Sequence, residues 1–293
     1  MPESPESARS LSRREFTALS LAAAAVATTS TQAAGTLSVS EQQVQVKTPS
    51  GTSDASLCTP QGAGTWPAVI LFTDAGGLRQ TMADMGKRLA GDGYVVLVPN
   101  PYYRNTKPPG LDLATFNFAD PADRAKLEAL RAPLTNEAVA QDATAYLTFL
   151  DALPAVNRKV PAGAFGYCMG GLMTLQAAIG NPNRIHAGAS FHGGGLVTDQ
   201  PDSVHRQIGK VKGRFLIAIA ANDDERQPEA KTELSKAFAA AHIPATVEVY
   251  PGTQHGWCVS DMPHPADKPP VYDRAQAERA WSGLQKLFKT TLV

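Results

Sequence analysis

The chain has 293 residues, 43% hydrophobic and 18% charged, a balance that buries a sizeable core and excludes disordered and collagen-like polymers. Lys plus Arg and Asp plus Glu both total 27, so no surface for tracking nucleic-acid phosphates is implied, and 22 prolines and 24 glycines without a period exclude a repeat array. Three cysteines cannot all pair internally, which excludes a disulfide framework and leaves at least one thiol to be explained.

In chain order, Ser12-Arg13-Arg14-Glu15-Phe16-Thr17 precedes an apolar stretch at residues 18–27 that has the length of a signal core and is too short to span a bilayer. Thr31-Gln32-Ala33 supplies small residues for cleavage. An amphipathic N-terminal helix is the alternative, but an Ala-rich, acid-free run after paired arginines favours export. Residues 1–33 therefore read as a twin-arginine signal peptide, with the twin-arginine export machinery as partner and a periplasmic or secreted destination. Residues 34–293 form the expected mature domain, without a stable membrane anchor and acting as a monomer.

Residues 44–47 and 55–59 predict a hairpin around Pro49-Ser50-Gly51, and the wholly apolar 68–72 predicts a buried parallel strand. A helix over 79–90 ends at Gly91-Asp92-Gly93, before a strand at 94–98. Residues 99–133 read as an irregular, polar insertion over one end of a sheet. Helices are expected at 134–153, 172–179, about 228–241 and 271–289, and strands at 162–165, 185–191, 215–220 and 246–250. Strands alternating with helices through right-handed crossovers give an α/β fold, a mostly parallel twisted sheet with helices on both faces. Its ligand site belongs at the carboxyl ends of the strands.

Gly166-Tyr167-Cys168-Met169-Gly170-Gly171 follows a strand and opens a helix, the pattern of a nucleophile elbow with Cys in place of Ser. Small neighbours let the chain pass through a sharp turn, and the helix N-terminus above which the thiol sits stabilises a thiolate. The plainer reading of Cys168 is a small buried hydrophobe beside a Gly-rich turn. Ala221-Asn222-Asp223-Asp224 places an acid after the next-but-one strand. Asp224 suits a cap for the helix near Pro228, so Asp223 is preferred as the residue that orients a base. His255, in Pro251-Gly252-Thr253-Gln254-His255-Gly256-Trp257, follows the last strand and completes the order nucleophile, acid, base. His242 and His264 lack that context, no pair has metal-ligand spacing, and no metal or cofactor is expected.

From about residue 44 to 290 the chain resembles the dienelactone hydrolase family of the α/β-hydrolase superfamily. The resemblance is carried by G-Y-C-M-G-G, N-D-D-E-R-Q-P, Y-P-G-T-Q-H-G and F-T-D-A-G-G-L-R. It implies hydrolysis of a lactone or small carboxylic ester through an acyl-enzyme on Cys168. It also implies an acid that contacts the thiol, here Asp74 where many members have Glu, and an oxyanion hole from the N–H groups of Met169 and Ala75; the plainer role for Asp74 is to cap the helix near Arg79 or brace the Gly76-Gly77 turn. Members acting on anionic dienelactones hold the carboxylate with arginines, one shortly after the catalytic His, where this chain reads Gly256-Trp257-Cys258-Val259. Arg79 and Arg104 are the substitutes considered, each otherwise a plain surface or helix-start arginine. His192 is a candidate for lining the pocket, and Trp257 and Tyr103 for an aromatic wall, or for simple packing. Two other uses of the fold are a redox protein with Cys168 as a reactive thiol, which no C-x-x-C supports, and a binding module without turnover.

Overall fold

The computed structural model describes residues 37–264 and 269–292; the expected signal peptide, residues 1–33, lies outside them. Strands β1 (Val39–Thr48) and β2 (Gly51–Pro60) form an antiparallel hairpin. They are followed by β3 (Ala68–Phe72), β4 (Val95–Pro99), β5 (Ala162–Tyr167), β6 (Ile185–Phe191), β7 (Arg214–Ala220) and β8 (Ala245–Tyr250). All eight join one sheet in the order β1-β2-β4-β3-β5-β6-β7-β8. Pairing is antiparallel through β1, β2 and β4 and parallel from β4 to β8.

The helices are α1 (Gln80–Gly91), α2 (Pro121–Arg131), α3 (Asn136–Asp151), α4 (Met169–Gly180), α5 (Ala221–Arg226), α6 (Ala230–Ala240) and α7 (Arg274–Thr291). The wholly apolar sequences of β3 and β4 are explained by two cores. Along β3, Ala68, Ile70 and Phe72 join Val139 and Leu147 of α3, Met173 and Leu175 of α4 and Phe238 of α6. Val69 and Leu71 instead join Met82 and Leu89 of α1 and Trp281, Leu284 and Phe288 of α7. Successive side chains of a strand point to opposite faces, so only a run apolar at every position serves a sheet covered on both sides. Fully burying each such side chain contributes about 1.5–3 kcal/mol.

Two sequence expectations change. The insertion 99–133 is not wholly irregular, because α2 forms within it: Asp120 accepts hydrogen bonds from the N–H groups of Ala122 and Asp123, and Pro121 opens the helix. That cap was legible, but α2 buries only Leu127, so the apolar period was faint. The acid turn is itself helical, as α5, and a short 3₁₀ helix at Val204–Lys210 was not expected. The helix opened by the elbow is as expected: α4 starts at Met169 and contains the body at 172–179.

Candidate active site

The candidate nucleophile is placed by backbone crowding. Cys168 sits between β5 and α4 at φ 54°, ψ −119°, a left-handed conformation that costs on the order of 1–3 kcal/mol and is held only by its surroundings. A Cβ on Gly166 would stand 2.2 Å from the Gly170 carbonyl oxygen, and one on Gly170 would stand 2.3 Å from that of Phe72. The turn therefore passes too close to its neighbours for any side chain at those two positions. Cys168 is the N-cap residue of α4, at the positive end of the helix dipole, and its side chain makes no cap hydrogen bond.

The candidate base and acid come from the ends of β8 and β7. His255 Nδ1–H donates to Asp223 Oδ2 at 2.7 Å, and His255 N–H donates to Asn222 Oδ1 at 2.8 Å. Of the two adjacent acids, Asp224 points away and binds the Lys231 ammonium at 2.7 Å. Asn222, which the sequence reading passed over, anchors the loop that carries the base. Burial opposes charge on His255, but hydrogen bonds to Asp223 and the Cys168 thiol, with the negative charges of both, push it up to about 10. The unfolded value is 6.5, so charged His255 adds stability that is complete below pH 6.5 and is lost as pH rises through about 10. Thermal melts of wild type and His255→Asn are expected to differ most near pH 6.5 and to converge toward pH 10. A gap independent of pH would contradict this coupling.

Asp74, 2% exposed, lies two residues beyond β3. Its Oδ1 accepts from Gly76 N–H at 2.9 Å and from Arg79 Nη1 at 2.6 Å, and its Oδ2 from Arg79 Nη2 at 2.9 Å. Among the described residues no hydrogen bond joins Asp74 to the thiol, although both line the same cavity. The expected direct contact is thus replaced by a brace on the turn. Arg79 also donates to Asp261 through Nε at 2.7 Å and Nη2 at 2.8 Å. Burial opposes its charge and the two carboxylates raise its pKa, so the guanidinium is committed to protein anions and is not offered to substrate.

The other expected binding residues are also relocated. Arg104 makes a bidentate pair with buried Asp142, at 2.7 and 2.9 Å, and Tyr103 O–H donates to the same carboxylate at 2.7 Å. Both lie between the β1–β2 hairpin and α3, outside the lining of the cavity. Their charge and hydroxyl are consumed in keeping Asp142 solvated in the interior. His192 lies beneath the nucleophile, its Nδ1 accepting from Cys168 N–H at 3.1 Å. Burial, then the nearby His255 charge, holds it well below the usual histidine range, so it is neutral with the proton on Nε2. Trp257 is fully buried and packs against His192 and Tyr250 at centroid distances of 5.2 and 5.1 Å, so it forms no pocket wall. All three cysteines are free; burial pushes Cys58 up to about 11 and Cys258 well above the ordinary thiol range.

Above Cys168 and His255 opens a cavity of about 630 Å³. Leu113, Phe118 and Leu127 from the insertion, with Met262 and Val271 opposite, give it an apolar wall, and Arg131 and Arg226 are its cations. Leu127 and Arg131 lie four residues apart on one face of α2, a spacing that recognition of the helix would have revealed. The Met169 N–H belongs to the first turn of α4, and no backbone acceptor takes the Ala75 N–H among the described residues. Both amides belong to residues that line the cavity with Cys168. Among the described residues no cluster of His, Cys, Asp or Glu could hold a metal ion.

A sheet parallel from β4 to β8, with a nucleophile elbow after β5, an acid after β7 and a histidine after β8, defines an α/β-hydrolase. The dienelactone hydrolase family model matches residues 53–292, so the chain belongs to that family and is a hydrolase of ester or lactone bonds. A Synechocystis protein named "Putative carboxymethylenebutenolidase" is 27% identical over 240 residues, covering 80% of this chain and 91% of that protein. The solved structure m3DLH superposes with a TM-score of 0.71 at 22% identity, over 87% of this chain and 99% of that one. The dienelactone hydrolase-like promiscuous phosphotriesterase P91, from metagenomic libraries, superposes with a TM-score of 0.69 at 20% identity, over 87% and 99%. At these identities the two structures bear on the fold alone.

Proposed function

We propose that this chain cleaves a lactone or small carboxylic ester, as a carboxymethylenebutenolidase-type enzyme does, by Cys-His-Asp catalysis through a thioester intermediate. The observation that carries the reading is the relay from Asp223 Oδ2 through His255 to a thiol held over the N-terminus of α4. The Cys168 thiolate attacks the carbonyl carbon, and the N–H groups of Met169 and Ala75 hold the oxyanion that forms. Collapse breaks the acyl C–O bond, the leaving oxygen takes the proton from His255 Nε2, and the acyl group stays on sulfur. His255, neutral again, removes a proton from water as it attacks the thioester; acid and thiolate are released, and His255 keeps the proton. Asp223 fixes the tautomer throughout. An activity screen against lactones, aryl esters and thioesters, with Cys168→Ala as control, tests this; no turnover above that control on any of them would overturn it.

With Arg79 and Arg104 committed elsewhere, a carboxylate on the substrate meets Arg131 and Arg226 instead. Arg226 already lies 3.6 Å from Asp223, whereas Arg131, likewise exposed, has no ion-pair partner among the described residues, which leaves Arg131 as the stronger candidate. Arg131→Gln is expected to lower kcat/KM about tenfold for an ester bearing a distal carboxylate, and to leave the neutral ester of equal length within about twofold. Equal losses on both would remove Arg131 from recognition.

We also propose that residues 1–33 direct twin-arginine export and that the mature protein acts as a periplasmic or secreted monomer. Its support is the paired Arg13-Arg14 before an acid-free apolar run. Replacing both arginines with lysine is expected to strand the precursor in the cytoplasm, and unchanged export on fractionation would contradict the signal.

A further inference from the structure

We infer that Tyr102 is a positioning residue of the oxyanion hole: its one buried hydroxyl donates to the Ala75 carbonyl and rests against the Met169 thioether, joining the two residues whose amides receive the oxyanion. The inference rests on the catalytic reading above. The distances are 2.9 Å to Ala75 O and 3.3 Å to Met169 Sδ. The Ala75 carbonyl belongs to the same peptide plane as the Gly76 N–H, which donates to Asp74 Oδ1 at 2.9 Å. Both ends of that plane are therefore held, one by a phenol and the other by a carboxylate that Arg79 grips with two nitrogens. The plane before it, which carries the Ala75 N–H, is held at its other end, where the Asp74 carbonyl accepts from Gly77 N–H at 3.0 Å. With both planes flanking Ala75 pinned, the aim of its N–H is set before substrate arrives. Such preorganisation is what an oxyanion hole requires, because donors that must reorient at the moment of reaction lose their advantage.

The phenol is itself held from behind. Tyr102 is fully buried, its N–H donates to Asn100 Oδ1 at 3.0 Å, and a Cβ on Gly110 would lie 2.1 Å from its ring. The Cδ2–Cε2 side of the ring thus lies hard against the insertion at Gly110, where only a residue without a Cβ leaves it room. Burial, then the negative charges of Cys168 and Asp74, raises the phenol pKa, so the hydroxyl keeps the proton that it donates.

Tyr102→Phe keeps the ring and removes only the donor. On a neutral aryl ester, kcat is expected to fall about tenfold or more with KM within about twofold, since donor aim matters in the transition state and little in the ground state. The rate and pH profile of Cys168 alkylation by iodoacetamide are expected to stay unchanged, because that reaction builds no oxyanion. Gly110→Ala, which pushes the same ring from the insertion side, is expected to lower kcat in the same pattern. Wild-type kcat in folded Tyr102→Phe or Gly110→Ala would overturn the inference. So would a loss of kcat matched by slower alkylation, which would place the damage at the thiol. Turnover that survives Cys168→Ala would instead defeat the catalytic reading on which the inference rests, and the two failures are thereby distinguished.

Discussion

Cys168→Ala and His255→Ala are each expected to remove nearly all turnover, on the order of 10⁴-fold in kcat, and the double variant is expected to lose little more than either alone. The reason is that neither group has a task without the other. Without His255 no group in contact with the thiol takes up its proton, delivers one to the leaving oxygen or draws one from water. Without the thiol, His255 has no acyl group to release. The residual rate comes from binding and from the Met169 and Ala75 amides, which neither substitution touches. Multiplicative losses in the double variant would show two independent contributions and would contradict a single relay. The melting temperature is the control. Cys168→Ala removes one sulfur from a position already strained at φ 54°, and near pH 10, where charged His255 no longer adds stability, it is expected to melt near wild type.

Asp223→Asn is expected to cost on the order of 10²–10⁴-fold in kcat, while Asp224→Asn stays within about twofold. The two acids are adjacent in the chain but differ in what they hold. Asp223 Oδ2 receives the Nδ1 proton of His255, and an amide there either donates to the ring and reverses its tautomer or loses the charge that stabilises the imidazolium. Asp224 pairs with Lys231, a half-exposed ammonium whose bond is worth at most about 1 kcal/mol and bears on no reacting atom. Steady-state kinetics of the two variants on one ester decide the matter. Asp224→Asn as the more damaging change would move the acid by one position and break the observed relay.

The parts of the site visible in the sequence are those fixed by local structure. The elbow at Cys168, the acid at Asp223 and the base at His255 each lie just beyond a strand, where an apolar run, a small-residue turn and one reactive side chain fall within a few residues of each other. The reading failed for groups whose partners are distant. Arg79 binds Asp261, 182 positions away, and Arg104 binds Asp142, 38 positions away. Local sequence says that a guanidinium is present and says nothing about whether a carboxylate has already claimed it. His192 and Trp257 were expected at the pocket because they end a strand or flank the base. The structure turns both inward, where one accepts the nucleophile's own N–H and the other stacks on Tyr250. Helix α2 was missed for a different reason: it buries one leucine, and it is held by the Asp120 cap and by a small cluster of Leu127 and Leu130 with Ala75, Leu111 and Phe116.

The pairing of Asp74 with Arg79 also reassigns that acid. A carboxylate near a thiol opposes the thiolate, and here the guanidinium between Asp74 and Asp261 offsets that charge. Asp74 contributes by shaping the Ala75–Gly76 peptide from one side as Tyr102 does from the other.

The central claim is that an acyl group passes through the sulfur of Cys168 under control of the Asp223–His255 pair. Rapid quenching of wild-type enzyme with a chromogenic ester, followed by intact-mass and peptide mass spectrometry, tests it most directly. The account predicts one acyl group on the peptide containing Cys168, forming with the first burst of released alcohol, decaying at the rate of turnover and absent from Cys168→Ala. Turnover without any adduct on Cys168, or an acyl group carried by another residue while turnover continues, would contradict it.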